Sequence, residues 1–326
     1  MDLAHMSSLH VLNPGLLTTL QDHGRIGYED RGVPPSGALD ELSFAIANAL
    51  VGNPAGTGAL EFTLIGGQFR VGQGGCVIAV TGDMEVFIDD QPVAPYQCHV
   101  LRSDAVLKVG RALSGARGYL AVAGGFAVEP VLNSVSTLMR GALGGFAGRA
   151  LAKGDDLPLA SASQFLPLAA REPAQRFLPQ REHQPLRVVL GPQEGHFSAE
   201  EIQRFLSETF QVSGQSDRMG YRLTGPVIKH LKGFNIISDA ISTGSVQIPG
   251  SGQPIIAMHD RQTIGGYPKI ATVIRADLAR LGQLKPGDAL SFAQVTVEDA
   301  EQLWCERQGM LGAYLDELLM RYRRRG

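Results

Sequence analysis

Between Ser238 and Arg275 the sequence reads SDAISTGSVQIPGSGQPIIAMHDRQTIGGYPKIATVIR, a run holding polar groups of nearly every catalytic type: Asp239, Ser245, Gln247, His259, Asp260, Arg261, Gln262 and Lys269. A carboxylate such as Asp239 or Asp260 can take a proton from an N–H, while Ser245, Gln247 and Gln262 can orient a carbonyl. Lys269, or Arg218 from the QSDRMGYRLTGP segment before it, can bind a carboxylate or stabilise negative charge developing on an oxygen. Gly265 and Gly266 let the backbone approach a ligand and can offer N–H donors to it. This is chemistry suited to amide and ureido groups, as in lactams and ureas, and the residue types permit it without requiring it. Taken singly, each residue has a plainer reading: Asp260 and Arg261 lacing a hairpin, and Lys269, after Pro268, pointing to water. A second candidate patch lies at Gln21 and Asp22, in LTTLQDHGRIGY.

Such groups must be held by something rigid. In the main stretch, short β-branched runs (VQI, PII, TVI) alternate with Gly and Pro at spacings no helix tolerates, so strands and tight turns are expected. Residues 9–12 read as a strand, and Asp40 is placed to cap a helix over ELSFAIANALVG. From Ala59 to Gly118 the pattern has period two, with Asp89-Asp90 as a hairpin tip. Ser198 and Glu201 have the spacing of a capping box. Trp304, Leu311, Leu315, Leu318 and Leu319 recur at helical spacing and predict a terminal helix from Thr296. Residues 161–185 lose periodicity and gain Pro, Gln and charge, as a linker does. The expected division is therefore 9–160, 186–295 and a C-terminal helix over 296–326.

Composition bounds the rest. The 326 residues, 44% hydrophobic and 19% charged, suffice for two domains with real cores. Forty Gly and eighteen Pro imply many turns and a mainly β chain. A net charge of −3 leaves no basic face for nucleic acid. No apolar run is long enough to span a membrane. Three scattered cysteines make no metal or disulfide pattern, which points to the cytoplasm, and MDLAHM resembles a tag remnant more than a signal peptide. A P-loop, a G-x-S-x-G elbow and an H-E-x-x-H motif are all missing, so no metal site is expected. Asp-Arg before a Gly-closed loop occurs at 30–37 and 217–225, and Gly-Asp before a strand at 154–159 and 287–292; these echoes leave a duplicated β domain open.

Three segments in order carry a specific resemblance: PGLLTTLQDHGRIGYEDRGVPPSGALD, QSDRMGYRLTGP, and SDAISTGSVQIPGSGQPIIAMHDRQTIGGYPKIATVIRADLARLGQLKPGD. Over Leu9 to Phe292 the chain resembles the carboxyltransferase domain of urea amidolyase, also called allophanate hydrolase subunit 2, a family that includes the C subunit of bacterial 5-oxoprolinase. The resemblance implies a mainly β fold with a few helices (α+β), built as two related cyclophilin-like β-barrel domains facing across a cleft. It implies a free-standing subunit of an ATP-dependent 5-oxoprolinase that works with a B-type subunit (allophanate hydrolase subunit 1-like) and with an A-type subunit. ATP is expected to serve the complex and not to bind this chain alone. Two alternatives stay open: a biotin-dependent carboxyltransferase component that acts on a urea, with carboxybiotin on a partner, and a non-catalytic partner of a kinase inhibitor.

Overall fold

The structure, a computed structural model, describes residues 7–160 and 184–323. The expected linker (but for residues 184 and 185) and the first six residues lie outside the described residues. The chain forms two compact units, one of residues 1–25, 36–180 and 310–326, the other of 26–35 and 181–309. Segment 26–35 thus groups with the C-terminal residues, and the terminal helix is shared between the units. Both features differ from a division at 160, 186 and 296. Periodicity along the chain reports elements but not the partners they pack on.

The first unit contains β1 (Ser8–Asn13), β2 (Thr18–Gln21), α1 (Glu41–Leu50), β3 (Ala59–Thr63), β4 (Gln68–Val71), β5 (Cys76–Thr81), β6 (Met84–Ile88), β7 (Gln91–Val93), β8 (Cys98–Leu101), β9 (Val106–Ala112), β10 (Arg117–Val122) and β11 (Asp156–Pro158). They form two antiparallel sheets, ordered β11-β1-β4-β9-β6-β7 and β2-β3-β10-β5-β8. Leu9, Val11, Phe69 and Leu107 of one sheet share a core with Leu60, Phe62, Ile78, Val80 and Leu120 of the other. Strand alternation turns the neighbours Ala59, Ala79, Tyr119 and Ala121 to the opposite face. The three alanines leave room for α1, which packs here through Phe44, Ala47 and Leu50, joined by Tyr314 and Leu318 of the terminal helix. Asp40 caps α1, accepting from the Leu42 and Ser43 N–H groups. Asp89 and Asp90, at φ 49° and 61°, make the tight turn between β6 and β7.

The second unit contains β12 (Leu186–Leu190), α2 (Ala199–Ser207), β13 (Phe210–Val212), β14 (Gly220–Thr224), β15 (Asp239–Ala240), β16 (Ser245–Gln247), β17 (Ile255–Ala257), β18 (Ile264–Gly265), β19 (Lys269–Val273), α3 (Leu278–Gly282), β20 (Ala289–Leu290) and β21 (Phe292–Gln294), with α4 (Val297–Arg323) following. Eight strands make one sheet, ordered β20-β13-β14-β17-β16-β19-β12-β21, and β15 pairs with β18 as a separate ribbon. Ser198 caps α2 through the Glu201 N–H. The reciprocal half of the expected capping box is replaced, because the Glu201 carboxylate accepts from the Lys229 N–H. Among the described residues the architecture is mainly β with four α-helices.

Candidate functional site

The Gly191-Pro192-Gln193 turn sets up the site. The Gly191 N–H donates to the Ile270 carbonyl, and a Cβ at Gly191 would lie 2.2 Å from the Lys269 carbonyl oxygen. Only glycine lets the end of β12 press this closely on β19. Gln193, the next polar residue, then works in both directions: its Oε1 accepts from the Lys269 N–H at 3.2 Å, and its Nε2 donates to Asp239 Oδ2 at 3.2 Å.

Lys269 Nζ donates to the same Asp239 oxygen at 2.7 Å. The lysine side chain is 4% exposed and the aspartate 49%, so a buried cation meets a carboxylate whose outer edge is open. Lys269, foremost, with the Ala240 N–H and Gln193, holds the Asp239 carboxyl below the usual carboxylate range. At neutral pH the open edge is therefore an acceptor for N–H groups. Only one of the three ammonium N–H bonds is spent on Asp239, which leaves donors for a substrate oxygen.

Gln247 lies opposite Lys269 where a bulge shifts the β16–β19 register. Gly265 pairs with Asp239 on the ribbon. A Cβ at Gly265 would sit 2.5 Å from Ile241 Cδ1 and 2.8 Å from Gln247 Nε2, so the missing side chain lets the Gln247 amide lie against the ribbon. Gly266 holds the ribbon's outer connection by accepting from the Ile236 N–H. The fold thus gathers Asp239, Lys269, Gln247, Gly265 and Gly266, and adds Gln193.

The other candidates are placed differently. Arg218 and Asp260 form a buried two-pronged pair, Nε–Oδ2 at 3.0 Å and NH2–Oδ1 at 3.2 Å. Both Asp260 oxygens thus face a guanidinium, which suits a brace for the 217–220 and 258–261 turns better than a proton acceptor. Ser245 is buried, with its hydroxyl 2.9 Å from that of Ser242. Gln262 is exposed on its turn.

Gln21 and Asp22 belong to the first unit and are buried there. Gln21 donates to Thr19 Oγ1 and the Thr137 carbonyl and accepts from the Gly37 N–H. Asp22 accepts from the Ser134 and Ser136 hydroxyls and from the Gly24 and Val135 N–H groups. This knot fastens the 134–137 loop to the end of β2. Among the described residues no group of three or more His, Cys, Asp or Glu is placed to hold a metal ion, and no helix is long and apolar enough to cross a membrane.

Arg261 is buried in the same turn as Asp260. Its Nε donates to the Ile241 carbonyl and NH1 to Thr243 Oγ1, both at 2.8 Å. Glu29 Oε1 lies 3.9 Å from its NH2. Sequence reasoning did not single out Gln193, Thr243 or Glu29. For Gln193 the Gly-Pro turn closing a buried strand was a usable signal; for Glu29, more than two hundred positions before Arg261, none existed.

The sequence model of the carboxyltransferase domain, subdomain A and B, matches residues 31–294, and the chain belongs to that family. The chain is 38% identical over 294 residues to the 5-oxoprolinase C subunit of Escherichia coli, covering 90% of this chain and 93% of that one. It is 34% identical over 322 residues to urea amidolyase of Saccharomyces cerevisiae, covering 91% of this chain and 17% of that one. Among solved structures it is similar to urea amidolyase of K. lactis, with a TM-score of 0.88 and 32% identity, over 96% of this chain and 20% of that one. It thus spans a fifth or less of the urea amidolyases, but nearly all of the bacterial C subunit.

Proposed function

We propose that the chain is a subunit of an ATP-dependent 5-oxoprolinase, opening the ring amide of 5-oxo-L-proline to give L-glutamate together with A-type and B-type subunits. The observation that carries this reading is the end-to-end match to a 5-oxoprolinase C subunit, 93% of whose length is covered. The geometry of the second unit is consistent with it. The open edge of Asp239 accepts the ring N–H, and Lys269 donates to the carbonyl oxygen, where negative charge gathers as water adds to the carbon. Gln193 and Gln247 hold these groups in place, and the Arg218–Asp260 pair braces the turn that follows β17. ATP is assigned to the assembled complex, because the sequence has no phosphate-binding loop.

The test is reconstitution. Co-expression with the A-type and B-type subunits should give one complex that releases glutamate from 5-oxoproline only with ATP, while the chain alone turns nothing over. Full activity from the isolated chain, or glutamate release by the partners without it, would overturn the reading. A second reading has its own support in the family's description and in the similarity to a urea amidolyase structure: transfer of a carboxyl group from carboxybiotin on a partner to a urea, held by the same residues. A complex that consumes urea and bicarbonate, and leaves 5-oxoproline untouched, would favour it.

A further inference from the structure

Among the described residues three cationic side chains are buried in the second unit: Arg218, Arg261 and Lys269. Two of them are closed by a hydrogen-bonded carboxylate, Arg218 by Asp260 at 3.0 Å and Lys269 by Asp239 at 2.7 Å. Arg261 is not closed in this way. Its two hydrogen bonds go to neutral acceptors, and Glu29 Oε1 at 3.9 Å lies beyond hydrogen-bonding reach. A guanidinium carries five N–H groups, so three of them are left over, one on NH1 and two on NH2. Burial pushes the Arg261 pKa down, and Glu29 only partly opposes this.

A buried charge without a bonded counter-charge is costly, and tying Ile241 to Thr243 needs only a neutral donor. A cation kept here has surplus capacity, and its shape specifies what would use it. Two parallel N–H groups match the two oxygens of a carboxylate. Glu29 does not meet that geometry; its other oxygen accepts from the Gly27 N–H at 3.2 Å. Its side chain is 37% exposed against 7% for Arg261, so the counter-charge over the guanidinium is itself in contact with water and displaceable. The Ile241 carbonyl that anchors Arg261 is two residues beyond Asp239, roughly 7 Å along an extended chain.

We infer that the NH1–NH2 edge of Arg261 is a carboxylate subsite beside the Asp239–Lys269 pair, with Glu29 as its resident competitor. It would select an amide substrate that also carries a carboxylate, as 5-oxoproline does and urea does not; that assignment of ligand rests on the 5-oxoprolinase reading.

Phenylglyoxal labelling of the full chain, read residue by residue by peptide mass spectrometry, tests it. The folded chain is labelled alone and with 5-oxo-L-proline, glutarate or the neutral lactam 2-pyrrolidone. Arg261 should label. Either carboxylate at about ten times its dissociation constant should slow that labelling roughly tenfold, 2-pyrrolidone should not, and exposed Arg222 should be indifferent to all three. Glu29→Gln should lower the carboxylate concentration needed. Labelling of Arg222 without Arg261, or of Arg261 unaffected by either carboxylate, would overturn the subsite. Protection by glutarate but not by 5-oxoproline keeps the subsite and removes the lactam as its ligand. A reconstituted complex carrying Arg261→Gln that turns over 5-oxoproline at an unchanged KM keeps the enzymatic reading and removes the subsite.

Discussion

Asp260 offers the sharpest separation of brace from catalyst. Its carboxylate and the Arg218 guanidinium are 6% and 4% exposed, joined at 3.0 and 3.2 Å. Asp260→Ala removes the anion and leaves a guanidinium in a site too dry to hydrate it. Breaking a pair this deeply buried costs about 3–5 kcal/mol. For a unit of this size that is a fall in Tm of roughly 6–20 °C, at ~2–4 °C per kcal/mol. Replacing both partners by apolar residues, Arg218→Met with Asp260→Leu, removes the buried charge along with its partner and should recover much of the loss. Differential scanning fluorimetry gives the stabilities, and glutamate release by the reconstituted complex, normalised to folded protein, gives the rate. A brace lowers stability and leaves the rate per folded molecule within a few-fold. A proton acceptor would instead lose about a hundredfold or more in rate with the fold intact. A near-normal Tm for Asp260→Ala would refute the burial argument. A near-normal Tm with a hundredfold slower turnover would make Asp260 the catalytic base.

Lys269→Met should keep the fold and reduce turnover of the complex about a hundredfold or more, because the donor to the carbonyl oxygen is gone; a rate within threefold of wild type would exclude the role. The Asp239 pKa lies below its unfolded value of about 3.9. The contribution of its ion pair is therefore fully present above that value and lost as pH falls through the lower folded pKa. Carbonyl-detected NMR should show Asp239 titrating below the unfolded reference, and a midpoint at or above it would contradict the geometry. In the first unit the Tyr119 hydroxyl donates to Glu61 at 2.7 Å and accepts from the Asp40 N–H at 2.8 Å. Tyr119→Phe removes both of these buried hydrogen bonds and should cost about 1–3 kcal/mol in chemical denaturation. Burial pushes the Cys76 thiol up to about 12, whereas Cys305 is exposed, so a thiol reagent at pH 8 should label Cys305 rapidly and Cys76 only on unfolding.

Local rules carried the sequence reading a long way. Gly and Pro spacing marked the strands from Ser245 to Val273, period-two alternation marked those from Ala59, and Asp40 marked the start of α1. Each depends on neighbours within a few positions, where backbone sterics and side-chain periodicity suffice. The same rules placed Asp239, Gln247, Gly265 and Lys269 in one stretch, the part of the candidate site that is local in sequence. Pairing was another matter. Lys269 reaches Asp239 across 30 positions and Arg218 reaches Asp260 across 42, so a stretch with two carboxylates and several cations allowed more than one assignment. Strand register decided it, through the bulge opposite Lys269 and the β15–β18 ribbon, and made one carboxylate a buried brace and the other an open acceptor. Gln21 and Asp22 read as a site because they are polar and clustered; the fold spends them on a loop. Glu29 over Arg261 had no trace in the sequence at all. The amino-acid order by itself determines which groups are available and the strands that carry them. Only the folded chain decides which charges neutralise one another and which are left facing out, because those contacts join residues whose separation in sequence sets no limit on their separation in space.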